Sequence, residues 1–249
     1  MSAIALGHVP FGILGLISFG VPNSETYVYI LASAFLHVFY MFFLLNAYKH
    51  SELSQVYPIA RGLSPLILVF FGTMLLGEDL SKYEILGIVC VSITLIMYGI
   101  QSGYRSRANL KGFYYAALTG FFIASYSFVD GYGVRVAQNA IGYTSAVDIL
   151  SAALLCLFLF IFNRKTFLGI YLQDQKTFWI GGSLGFIAYA LVLWACLHAP
   201  ISIVYTLRET SVLFAVLLAI VFLKEKVTVS KILLIGVLCF GVVLIRSSI

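Results

Sequence analysis

Nine apolar runs, separated by short polar stretches, divide the chain. They fall at roughly 4–20, 27–47, 52–76, 84–101, 110–130, 142–163, 176–197, 200–223 and 230–247. Each is close to the length of about 20 residues that spans a bilayer as a helix. The strands of a membrane barrel would instead show short segments of alternating polarity. The connections read "PNSET", "GEDLSK", "QSGYRSRAN", "NRKTFLGIYLQDQK" and "KEKVTVSK". Loops this short leave little room for chemistry outside the membrane. The first run has no small-residue cleavage site, so it reads as a span rather than a secretory leader.

Composition sharpens this to one class. Of 249 residues, 61% are hydrophobic and 10% charged, where a soluble domain carries about 25% charged residues. Mean hydropathy is +1.02. The chain is expected to be an all-α integral membrane protein, placed in the cell (inner) membrane, with the lipid bilayer as its surroundings. The net charge of +5 then reports on membrane sidedness and gives no reason to expect a nucleic-acid partner. Cys90, Cys156, Cys196 and Cys239 all lie in apolar runs, without a CxxC or Cys/His cluster, so free thiols and no metal are expected. There is no phosphate-binding loop, no HExxH and no intramembrane carboxylate pair. An enzyme, a nucleotide hydrolase and a cofactor are therefore not expected.

The chain repeats itself. "AYKHSELSQVYPIARGLSPLILVFFGTMLLGEDLSKYEILGIVC" aligns with "ACLHAPISIVYTLRETSVLFAVLLAIVFLKEKVTVSKILLIGVLC" at a spacing of about 148. Ala47 meets Ala195, His50 meets His198 and Tyr57 meets Tyr205. After a one-residue gap, Arg61 meets Arg208, Ser64 meets Ser211 and Glu78 meets Glu225. After a further insertion, Lys82 meets Lys231, Gly87 meets Gly236 and Cys90 meets Cys239. The second copy, 110–249, has five helices, whereas the first, 1–101, has four. The expectation is nine transmembrane helices in two inverted repeats of a ten-helix (5+5) fold, with the first helix absent. An odd number of spans per unit inverts the copies in the membrane. Inverted repeats place a transporter's substrate site near the midplane, at the repeat interface.

The stretches "AYKHSELSQVYPIARGLSPLI", "LLGE", "SYSFVDGYGVR" and "AYALVLWACLHAPISIVYTLRETSVLFA" resemble the EamA-type transporters of the drug/metabolite transporter superfamily, over nearly the whole chain. The resemblance implies ten helices in two inverted five-helix repeats around a central cavity. It also implies efflux or exchange of a small-molecule substrate, such as an amino acid or another carboxylate-bearing compound, through an alternating-access cavity. The departure is the family's first helix, which has no counterpart here. The competing reading is a non-transporting membrane subunit or scaffold that has lost that helix.

Within this frame, charged and aromatic residues in the apolar runs become the candidate substrate-binding set. Arg61 and Arg208 lie near mid-depth of their runs. A charge there costs at least about 2.5–3.5 kcal/mol on insertion scales, so it faces a partner or water. Two guanidiniums related by the repeat suit a carboxylate; the competing role is a structural clamp. Glu209 adjoins Arg208, but chain neighbours in a helix point apart, so its pairing needs another helix. Pro58, Gly62 and Pro65 predict a loosened or broken helix around Arg61. Arg61→Ala is expected to abolish transport while leaving folding mostly intact. Tyr57 and Tyr205, one turn before each arginine, together with Ser64, Trp194 and Tyr189, complete the set. Asp130 is the proton-coupling candidate, with a local bond to Arg135 as its alternative. Glu78 and Glu225 read as caps near the start of the next helix, and His50 and His198 as solvated helix ends. Gly181 and Gly185 give a GxxxG spacing that packs helices closely, within the chain or in a homodimer.

Charge also predicts sidedness. Lys49, Arg105, Arg107, Lys111, Arg164, Lys165, Lys176, Lys224, Lys226 and Lys231 fall on one side of the nine spans, and Lys82, Arg135 and Arg246 on the other. The positive-inside rule makes the first side cytoplasmic and puts the carboxyl end outside. The family resemblance implies the reverse.

Overall fold

The computed structural model describes residues 2–105, 110–162, 175–214, 218 and 229–246. Among them every regular element is helical. In chain order these are α1 (Ser2–Phe19), α2 (Tyr27–His50) after a 3-10 turn, α3 (Leu53–Leu76), α4 (Lys82–Arg105), α5 (Leu110–Ala137) and α6 (Ala140–Phe162). A π-turn (Thr177–Gly181) then leads into α7 (Gly182–Cys196), followed by α8 (Ile201–Arg208) and α9 (Val229–Arg246). Each predicted run thus meets a helix within a few residues of its predicted bounds, except 110–130, whose helix continues seven residues further to Ala137, and 200–223. There α8 ends at Arg208, Glu209 and Thr210 form a turn, and helix resumes over 211–214.

Among the described residues six segments are long and apolar enough to cross a membrane; Ile4–Phe19 and Ile232–Arg246 are shorter apolar helices. Large apolar side chains cover the outside, among them Ile17 at 76% exposure, Val28 at 72% and Met74 at 71%. In water such a surface would carry a large free-energy cost. Against lipid tails it does not.

The residues cluster into two units. One holds Met1–Phe39 and Val129–Ala199, the other Tyr40–Phe128 and Pro200–Ile249. Two boundaries fall inside α2 and α5, and the third falls between α7 and α8.

In the first unit α1 packs on α6, on the π-turn and on α7. Glycines set that approach: a Cβ on Gly7 would press on the Gly182 backbone, and one on Gly181 would meet Ile4. The GxxxG spacing of Gly181 and Gly185 is thus filled by α1 of the same chain. Arg135 donates from Nε to the Cys196 carbonyl and from a terminal nitrogen to the Ala199 carbonyl, both at 2.8 Å. A cation there satisfies the open carbonyls at the end of α7.

In the second unit α4 packs on α3 and α9. Val91, Leu95, Val212, Leu234 and Leu238 form one buried cluster, and Leu44, Ala47, Val56, Ile59 and Ala116 another. The start of α4 is a reciprocal cap: Ser81 N–H donates to Glu84 at 2.6 Å and Glu84 N–H to Ser81 Oγ at 3.2 Å.

Three sequence expectations are corrected here. First, α3 is not broken at Arg61; it runs unbroken through Pro58 and Pro65. Proline 65 cannot donate to the carbonyl of Arg61, four residues back. The Ser64 hydroxyl donates to that carbonyl instead, at 3.3 Å. Gly62 serves close packing, since a Cβ there would collide with Ser92 and Leu95 of α4. The interruption falls at Glu209–Thr210, in the second copy. Second, Glu78 does not cap the helix that follows it. Gly77, at φ 63°, ends α3 in the left-handed conformation that glycine tolerates. Glu78 then accepts from Ile201 N–H and, at 2.8 Å, from Ser202 Oγ, so it caps α8 of the other copy. Glu225 lies outside the described residues. The third concerns the histidines, and only in part: His50 and His198 are exposed at helix ends as expected, and each also meets a ring, His50 stacking on Tyr115 at 5.6 Å and His198 meeting Trp194 edge-on at 5.0 Å.

Candidate functional site

α3 and α8 run antiparallel. Ser202 Oγ donates to the Leu68 carbonyl at 3.1 Å, and two turns along each helix Arg61 meets Glu209. That register brings two buried polar residues together inside an apolar unit. An Arg61 terminal nitrogen donates to Glu209 Oε1 at 2.9 Å, with the side chains 16% and 3% exposed. Glu209 Oε2 is buried and has no hydrogen-bond partner.

Each arginine also sits over a ring one turn behind it. The Arg61 guanidinium lies 5.0 Å from the centre of Tyr57, and that of Arg208 lies 5.6 Å from Tyr205. Both distances suit cation–π attraction. Arg208 lies within electrostatic range of Tyr126, Arg61, Tyr205 and Glu209, and Tyr40 lies near both arginines and stacks edge-on with Tyr126. Arg61, Arg208, Glu209, Tyr57 and Tyr205 therefore share one neighbourhood, with Tyr40 and Tyr126 added by the structure. The repeat makes it lopsided: the position matching Glu209 in the first copy is Gly62.

Two members of the sequence-derived set are placed elsewhere. The hydroxyl of Ser64 is turned to the Arg61 carbonyl of its own helix, a backbone repair rather than a free ligand. Trp194 belongs to the first unit, is 56% exposed, and packs against His198.

The geometry also changes what Arg61→Ala is expected to do. It would leave Glu209 charged, buried and unmatched, so folding would not be spared.

Asp130 heads a second polar group, in the first unit. It is fully buried and accepts from Tyr143 Oη at 3.1 Å and from Tyr189 Oη. Ser33 adds a further side-chain hydrogen bond, and His37 lies within electrostatic range. His37 Nδ1 is 3.0 Å from the Ser33 carbonyl oxygen, and its ring meets that of Tyr189 edge-on. Tyr189 thus joins Asp130 and not the arginines, and the Arg135 side chain is directed to the end of α7. This group can hold a proton, because carboxylate, imidazole, hydroxyl and phenols lie in one hydrogen-bonded cluster.

A third group, His8 with Asp148 at 3.1 Å, escaped the sequence reading. Its signal was present, since Asp148 interrupts the apolar run of α6. No metal-binding cluster occurs among the described residues. A cleft of about 640 Å³ between α4 and α9, lined by Thr94, Met97, Tyr98, Gln101, Leu233 and Val237, holds none of these groups.

Comparison with known proteins supplies the context. A solved structure titled only "Crystal structure of protein" superposes with a TM-score of 0.75 at 17% identity, covering 98% of this chain and 87% of that one. At that identity the likeness concerns the fold alone. No curated protein matches. The profile of the EamA-like transporter family matches residues 110–247, more than half of the chain. With its apolar spans, the chain thus belongs to the EamA-like transporter family, a family of membrane transporters within the drug/metabolite transporter superfamily.

Proposed function

We propose that the chain is a secondary transporter that exports or exchanges a small carboxylate-bearing metabolite, such as an amino acid, by alternating access, and that protons drive it through Asp130. The observation that carries this reading is the buried neighbourhood of Arg61, Arg208 and Glu209. These three groups together are net positive and sit among apolar helices, where such charge is kept for a purpose. A substrate carboxylate fits the planar fork of a guanidinium, and Tyr57, which is only partly buried, offers a ring against which a substrate packs. Glu209 Oε2, a buried acceptor without a donor, suits an N–H or O–H on the same substrate. Asp130 supplies a carboxyl group that binds and releases a proton within hydrogen-bond reach of two phenols.

The test is uptake and efflux in proteoliposomes against a panel of amino acids and other carboxylates. Arg61→Lys keeps the charge and loses the planar fork, so it is expected to fold at normal yield and lower transport at least about tenfold. Asp130→Asn is expected to keep exchange of labelled for unlabelled substrate and to lose accumulation driven by a pH gradient. Normal transport by Arg61→Lys across the panel sinks the anion-binding role. Gradient-driven accumulation by Asp130→Asn sinks the coupling role.

A further inference from the structure

α1 and α6 meet at a polar pair that the proposed function leaves unused. His8 Nδ1 lies 3.1 Å from Asp148 Oδ2, and the side chains are 17% and 9% exposed. Both helices are otherwise strongly apolar. The other ring nitrogen, His8 Nε2, is buried and has no hydrogen-bond partner. It points at Gly185 of α7, where a Cβ would come within 2.5 Å of it. Glycine at 185 therefore leaves the imidazole its place. One turn before Asp148 on α6, Ser145 Oγ is also buried without a partner. Buried polar atoms left open in this way are where ordered water sits.

We infer that His8 and Asp148 form a proton-binding site within the membrane, separate from Asp130, with water beside Ser145 as its route of supply. A neutral imidazole beside an ionised carboxylate leaves one net negative charge among apolar side chains. A single proton, delivered by water, removes that charge whether the ring or the carboxyl holds it, and no other bond changes. On the described residues of the elements packed against α1, no Lys or Arg side chain occurs. Among the described residues, the titratable side chains on the elements packed against α1 are Tyr143, Asp148 and Cys156 of α6, with Tyr189 and Cys196 of α7. Tyr143 and Tyr189 serve Asp130, and Lys176, just before the π-turn, is exposed. The pair fits the His–carboxylate chemistry of intramembrane proton relays.

Infrared difference spectra of the full chain in lipid bilayers, recorded between about pH 8 and about pH 5, test this without substrate. The wild-type spectrum is expected to contain a protonation signal, carboxylic or imidazolium, that His8→Gln and Asp148→Asn both remove and Asp130→Asn leaves in place. Spectra of both variants identical to wild type overturn the proposal. If neither variant yields folded protein, isotope-labelled histidine in the wild-type chain decides. The signals of the other three histidines, His37, His50 and His198, are assigned by glutamine substitutions there. A label effect confined to those three signals overturns the proposal as well. The use of this site in transport rests on the proton-driven reading above, but its existence does not. A silent spectrum with gradient-driven transport intact removes this site alone. A present signal without any gradient-driven transport keeps the site and removes that reading.

Discussion

Glu209 is buried and Arg61 largely so, at 3% and 16% side-chain exposure, so neither readily exchanges its partner for water. Removing one member leaves the other as an uncompensated buried charge, which costs about 3–5 kcal/mol. Arg61→Met and Glu209→Gln are each expected to lower stability by about that amount. The double variant is expected to recover most of the loss, because no charge is left stranded. Thermal unfolding in detergent measures all three, and strictly additive losses would show that the two side chains do not interact. The arginines were legible in sequence because a charge stands out in an apolar run. Their partner was not, because it lies 148 residues away from Arg61 and depends on which helices pack. Asp148 stands out just as plainly, yet nothing in sequence says that α1 presents His8 to it.

Helices settle what single residues leave open, and here the two copies differ. Proline and glycine predicted a break around Arg61, but α3 stays whole because Ser64 fills the acceptor that Pro65 vacates and α4 packs tightly on Gly62. The break falls after Arg208, where no proline marks it. Propensity is a local signal, whereas the path of a helix inside a bundle is decided by its neighbours. Glu78 shows the same dependence. Its place after α3 was legible, but the helix it caps, α8, is distant in sequence, and α8 carries both Tyr205 and Arg208. Loss of a cap costs about 0.5–2 kcal/mol, and the negative charge at the helix start adds to that. Glu78→Ala is expected to lower stability by about 1–2 kcal/mol, and Glu78→Gln by less, since an amide oxygen still accepts. Melting curves that rank Gln below Ala would remove the cap from the account of α8.

For the whole chain, the all-helical, membrane-spanning class was legible because bilayer thickness fixes the length of apolar runs; among the described residues six helices are long and apolar enough to cross, and the fold likeness extends over 98% of the chain. Sidedness is a different matter, because it depends on charge in the loops. Ten basic residues lie on one side of the alternating spans and three on the other. Such a bias places the richer side in the cytoplasm, while the family resemblance implies the opposite. Ser24 and Glu52 stand at opposite ends of α2 and both are exposed. In a background with the four native cysteines replaced by serine, a cysteine at either position reports its side to a membrane-impermeant maleimide. The charge bias predicts that Ser24→Cys reacts on intact cells and Glu52→Cys only after permeabilisation. The reverse pattern would mean that the family orientation holds against the local charges. Reaction of both on intact cells would mean that α2 does not cross the membrane, which its 24 apolar-rich residues argue against.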